Sequence, residues 1–226
     1  MKILKLGQQI GGANSPSGAA WLPSDESSLE AWYSRNVGIA LNGSDVEQWA
    51  DSSSNSHDMV QGTATEQPAF SAGVLTFDSA DTNNLQTTSQ ISLPDEFTIG
   101  FIANPTAYNN VILGDNTTSN EFFKYSATDR FLIKIDGSAK TFSLDSGSFE
   151  DDYLVVTRDA SNRIRLWKNG VIQVDEENLS GVADIDAIGV RATDVNPFNG
   201  TIEEIEIFTT ESDALTANIN TYLSSL

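Results

Sequence analysis

The chain contains no cysteine, one histidine and two methionines. Without cysteine there is no disulfide, no thiolate zinc or iron–sulfur centre and no cysteine nucleophile, so packing and backbone pairing must stabilise the fold. That absence does not fix the compartment. Positive charge is also scarce: 12 Lys and Arg stand against 32 Asp and Glu, a formal charge of −20. Such a surface repels phosphate backbones, which proteins engage through Lys and Arg, so nucleic acid is not an expected partner. No apolar run approaches the roughly 20 residues of a membrane span. The apolar opening from Met1 to Ile10 is interrupted by Lys5 and Gln8-Gln9, so neither membrane insertion nor a signal peptide is expected. Internal repeats and coiled-coil heptads are missing too, which leaves a homo-oligomer open but unspecified.

What is present is a chain of 226 residues, long enough to bury about 70% of its unfolded surface around a single core. Residues 1–23 differ from the rest, because Gly11-Gly12, Pro16, Gly18 and Pro23 punctuate every short apolar patch. They read as an extended arm with Ile3, Leu4, Leu6, Ile10, Trp21 and Leu22 as apolar docking anchors, ahead of a domain at 24–226.

From Leu29 onward the pattern is strand-like. Phe97, Ile99 and Phe101 alternate along one segment, and Phe131, Ile133 and Ile135 along another, as half-buried strands require. Asp136-Gly137 and Asn169-Gly170 are dipeptides that tolerate the positive φ of tight hairpin turns. With a third reversal at Asp159–Asn162, residues 153–175 form a three-stranded meander with Ile164 and Leu166 inward and Arg163 and Arg165 outward. Near the end, Leu215, Ile219, Tyr222 and Leu223 share a helical face over Ser212–Leu223, with Thr210 or Ser212 as N-cap. The fold class that follows is all-β: a two-sheet antiparallel sandwich with a short C-terminal helix lying on it.

Four stretches carry a resemblance: Leu29–Ser34; Val46–Asp51 through Asn55–Asp58; Leu154–Arg158 to Leu166–Gly170; and Phe198–Phe208. In their order the chain resembles laminin-G-like members of the concanavalin A-like lectin/glucanase superfamily, over residues 28–224. The resemblance implies a jelly-roll β-sandwich. It leaves function open, because that superfamily holds lectins, glycosidases, adhesion modules and virus-particle domains. The opening, Met1-Lys2 through Leu6-Gly7 and the Gly/Ser/Pro stretch, looks like the start of some tailed-phage structural and decoration proteins. That likeness implies a virion location, docking to capsid or tail subunits, and possible contact with host surface polysaccharide.

Each chemical candidate has a plainer reading beside it. Glu204 and Glu206 are two apart on a strand, a spacing that lets two carboxylates converge for glycoside cleavage. The superfamily's catalytic pattern has an Asp between two Glu, which is missing here, and alternation instead assigns both to a solvent face above buried Ile205 and Ile207. The run from Asp51 to Asp58 offers oxygen ligands for calcium but lacks a central Gly and a closing acid, and reads better as a polar turn. His57 has no Gly-x-Ser-x-Gly elbow near it and reads as a surface turn residue. Trp21, Trp32, Trp49, Tyr108, Tyr125 and Trp167 are the aromatics able to stack on sugar. Most read as core, and Tyr108, in the loop Asn104–Asn110, is the expected exposed ligand contact. No residue is assigned as catalytic or as a metal ligand, and no cofactor is expected, calcium being the one left open. The expectation is a non-enzymatic structural or binding protein of a phage virion, with a carbohydrate-binding module or glycanase as the alternative.

Overall fold

The computed structural model describes residues 20–150 and 152–226. Eighteen strands occur among them: β1 (Leu29–Tyr33), β2 (Ile39–Asn42), β3 (Asp45–Trp49), β4 (Met59–Val60), β5 (Ala69–Ser71), β6 (Val74–Phe77), β7 (Leu85–Leu93), β8 (Phe97–Pro105), β9 (Asn110–Gly114), β10 (Phe122–Ala127), β11 (Arg130–Ile135), β12 (Ser138–Ser143), β13 (Asp152–Arg158), β14 (Arg163–Lys168), β15 (Val171–Ile172), β16 (Glu177–Asn178), β17 (Ala183–Ile188) and β18 (Gly200–Phe208). One α-helix, α1 (Asp213–Leu223), closes the chain.

All named strand pairs are antiparallel and trace two layers. In the first, β18 pairs with β1 and β6 on one edge and β8 on the other, and the layer continues through β13 to β14, which pairs with β15 and β16. The second runs β4–β7–β17–β9–β10–β11–β12. Strands β2, β3 and β5 join the two along one side. The layers face each other across a core in which Phe97 of β8 meets Phe123 of β10 at 6.1 Å and Phe101 of β8 meets Phe131 of β11 at 6.0 Å between ring centroids. This is the two-sheet antiparallel sandwich expected from the strand pattern, and the jelly roll that the resemblance implies.

Local turn chemistry behaves as expected. Asp136 and Gly137 have φ of 46° and 78°, and Asn169 and Gly170 have 50° and 76°, so both hairpins turn through two residues in the left-handed region. The meander is present as β13–β14–β15, and Arg163 and Arg165 lie half-buried on its outer side, paired with Asp159 and Glu176. Arg158 turns inward at the end of β13 and is fully buried. It donates to the carbonyls of Leu93 (2.7 Å), Asp95 (2.7 Å) and Gly181 (2.8 Å) and lies over the Phe97 ring, tying three segments to the strand end.

Helix α1 is capped by Ser212, whose hydroxyl accepts from the Leu215 N–H at 3.1 Å. Its buried face, Leu215, Ile219 and Leu223, packs on Val155 and Phe208, so it covers the outer face of the first layer. Trp21 joins this second core at 6.3 Å from Phe208 and 6.1 Å from Tyr222. Of the two arm anchors nearest the domain, Trp21 is therefore seated on the body itself. Leu22 remains 44% exposed, and Ile3, Leu4, Leu6 and Ile10 lie outside the described residues.

Candidate functional site

The expected solvent position of Glu204 and Glu206 is corrected: both are fully buried, as are Ile205 and Ile207. Alternation does place the two sets on opposite faces, but α1 covers the face that carries the carboxylates. Gly100 is opposite Glu206 in the β8–β18 register and makes the room. A methyl group added there would stand 2.5 Å from Glu206 Oε1 and 2.8 Å from Ile219 Cγ2. Glu204 is well partnered: Oε1 accepts from Trp32 Nε1 (2.5 Å) and the Tyr222 hydroxyl (2.9 Å), and Oε2 from the Arg35 N–H (2.5 Å). Burial still raises its pKa against those bonds. Neither oxygen of Glu206 has a protein partner. Burial, with the Glu204 charge beside it, pushes Glu206 well above the ordinary glutamate range. A pair closed off in this way has no access for substrate or water.

His57 is likewise corrected from surface turn to interior. It is 5% exposed, with Nδ1 at 2.7 Å from the Ser89 carbonyl and Nε2 at 2.9 Å from Glu30 Oε1. The polar loop before it is organised by its own carboxylates. Asp51 accepts from the N–H groups of Trp32, Ser53 and His57 and from the Ser53 hydroxyl, while Asp58 accepts from Asp51 N–H and Gln48 Nε2. These oxygens serve the turn. Among the described residues no group of three or more His, Asp or Glu is arranged to hold a metal.

Tyr108 is half-buried and packs against the main core, in place of the exposed position expected of it. Burial and the nearby Glu150 raise its hydroxyl pKa. Trp49 and Tyr125 are core, whereas Trp32 and Trp167 are partly buried on the helix side.

The feature that sequence reasoning missed is on the other outer face. Phe122 in β10 pairs directly with Lys134 in β11 and with Gly114 in β9, so these positions share one side. Gly114 lets the chain after β17 close over β9: a methyl group there would lie 2.5 Å from the Val190 carbonyl and 2.9 Å from Arg191 Cβ. Three cations consequently converge on one ring. Arg191 Cζ is 4.7 Å, Lys124 Nζ 5.5 Å and Lys134 Nζ 5.8 Å from the Phe122 centroid, each within cation–π reach.

Their remaining bonds are to neutral groups. Lys124 donates to Asn109 Oδ1 (2.8 Å), Lys134 to the Ser119 carbonyl (2.8 Å) and Arg191 to Asn196 Oδ1 (2.8 Å). Arg191 Nε is buried without an acceptor. The ion pairs among the described residues involve Arg35, His57, Arg130, Lys140, Arg163, Arg165 and Lys168, and none of the Phe122 cations. Burial lowers the Lys124 and Arg191 pKa values, and for Lys124 the Arg191 charge adds to the effect.

No family model matches the chain, and no curated protein matches it in sequence. Solved structures do match in fold. The binding domain of Paraclostridial Mosquitocidal Protein 1 is similar with a TM-score of 0.58 at 13% identity, over 90% of this chain and 53% of that one. Domain 4 of AbnA, a GH43 extracellular arabinanase from Geobacillus stearothermophilus solved in complex with arabinotriose, is similar with a TM-score of 0.53 at 13% identity, over 85% of this chain and 97% of that domain. The fold is a jelly-roll β-sandwich. This sandwich spans about half of the mosquitocidal binding-domain chain and nearly all of the arabinanase domain. Within it, α1 covers the face that carries Glu204 and Glu206, whereas on the other face Phe122, 6% exposed, lies beneath the half-exposed Lys124, Lys134 and Arg191.

Proposed function

We propose that the chain is a non-catalytic binding module that holds carbohydrate on its lectin-like sandwich. The observation that carries this reading is the burial of Glu204 and Glu206. The Glu204 and Glu206 pair, whose spacing on one strand suits glycoside cleavage, lies fully buried under α1, with Glu206 lacking a hydrogen-bond partner and raised well above the ordinary glutamate range. A glycosidase needs one carboxylate to meet the sugar and a second group to move a proton to or from it, and neither is reachable here. The arabinanase domain bound to arabinotriose is a sugar complex on a similar fold, which adds support. A glycan array probed with the wild-type chain tests the reading, and binding to at least one saccharide class is the expected result. An empty array at millimolar-range sensitivity would sink it. Hydrolysis of any bound glycan that disappears in Glu204→Gln would restore the glycanase alternative.

We propose further that the module is a virion component whose N-terminal arm, residues 1–23, attaches it to capsid or tail subunits. The seat of Trp21 favours this, because a tryptophan locked between Phe208 and Tyr222 gives the preceding segment a fixed point of departure. Removing residues 1–19 while keeping Trp21 is expected to abolish incorporation into particles and leave the melting transition of the sandwich unchanged. Full incorporation of the truncated chain would reject the docking role.

A further inference from the structure

We propose that the Phe122 face binds an acidic saccharide, a sugar bearing a carboxylate, sulfate or phosphate, through Lys124, Lys134 and Arg191. This rests on the carbohydrate-binding reading and narrows it to a ligand class and a place. With 32 acidic residues against 12 basic ones, pairing each cation with a carboxylate is easy for this chain. Yet these three cations gather on one ring with no carboxylate partner. Like charges held this close repel one another, and an anion placed among them removes that repulsion while gaining charge-assisted hydrogen bonds. Arg191 Nε has no acceptor within the protein, so the guanidinium is not fully satisfied by its Asn196 bond.

The neutral partners define the rest of the site. Asn109 and Asn196 each use the side-chain oxygen to hold a cation, which leaves their amide N–H groups as donors for hydroxyl and ring oxygens. Asn109 has a φ of 71° and Asn196 of 54°, left-handed conformations that asparagine tolerates better than most residues. Net charge adds selectivity. An extended polyanion such as nucleic acid would feel the −20 of the whole surface, whereas a single acidic sugar would meet the three cations directly, with Glu121 and Asp115 as the neighbouring carboxylates.

The test uses the full chain and three sets of probes: uronate-, sialate-, sulfate- and phosphate-bearing oligosaccharides, their neutral counterparts, and inorganic sulfate. Binding is followed by calorimetry and by amide shifts of residues 109, 124, 134 and 191. The acidic sugars are expected to bind, to weaken with added salt, and to lose about tenfold or more in affinity in Lys124→Gln and in Arg191→Gln. Lys140→Gln, which removes the same charge from the Glu177 pair, is expected to have no effect. Binding of neutral sugars alone, or of acidic sugars with the two variants unaffected, overturns the inference and leaves the carbohydrate reading standing. Inorganic sulfate bound as tightly as the sugars overturns the saccharide as ligand. Failure of every glycan removes both readings together.

Discussion

The two outer faces of the sandwich carry ionisable side chains in opposite circumstances. On the first layer, Glu204 and Glu206 are closed under α1, and Glu206 is left without a hydrogen-bond partner. On the second, Lys124, Lys134 and Arg191 stand half-exposed without carboxylate partners. A buried acid escapes its desolvation penalty by keeping its proton, whereas a half-exposed cation keeps its charge and water. The first arrangement therefore acts on stability and its pH dependence. The second acts on what the surface attracts.

The largest effect is expected from opening the covered face. Ile219 is fully buried between Val155, Phe208 and the Glu206 carboxyl, the last being close enough that Gly100 must lack a side chain. Ile219→Ala removes three methyl or methylene carbons and leaves a cavity against β8 and β18, with a cost of about 2–5 kcal/mol. Urea unfolding is the measurement. A loss below 0.5 kcal/mol, the range of ordinary surface changes, would mean that α1 is not a packed cover.

Next in size is a pH effect with a defined sign. The folded Glu206 holds its proton well above the ordinary value of 4.5, with burial as the main cause and the Glu204 charge second. Between that ordinary value and the folded one, the unfolded chain has lost the proton and the folded chain has not. Unfolding then releases protons, so stability falls as pH rises through this window, by up to about 1.4 kcal/mol per pH unit for one proton. Below the unfolded value both states are protonated and the contribution is fully present. Glu206→Gln stays neutral in both states and is expected to flatten this slope by up to one proton. Glu204, Glu121, Asp186 and Glu211, also raised, retain their shares. Parallel wild-type and variant curves as pH rises above 4.5 would show that Glu206 is ionised in the folded chain.

What the sequence discloses follows the range of the interactions. The Asp136-Gly137 and Asn169-Gly170 turns, the meander and the Ser212 cap depend on residues close in the chain, and all are legible. The alternation of Glu204 and Glu206 with Ile205 and Ile207 is legible too. What covers each face is not, since that depends on a helix arriving from elsewhere. A partial signal existed in Gly100 opposite Glu206, because glycine in a strand interior often marks a close approach. His57 was misplaced for the same reason: its partners, Ser89 and Glu30, are 32 and 27 residues away. Phe122 and Lys124 are two apart in the sequence, but Lys134 joins them through strand register and Arg191 through a loop 67 residues beyond Lys124.

The smallest effect completes the contrast and is the sharpest check on it. Lys134→Gln on the open face removes one cation whose Nζ is exposed and bonded only to the Ser119 carbonyl. Its contribution to folding is a single cation–π contact at the outer end of the range, set against repulsion from Lys124 and Arg191 across the same ring. These terms oppose each other, so unfolding free energy is expected to change by less than about 0.5 kcal/mol. The change should also shrink with added salt, because exposed charges are screened. A loss of 2 kcal/mol or more, comparable with Ile219→Ala, would make the cation cluster part of the fold's support and place both faces in the same structural role.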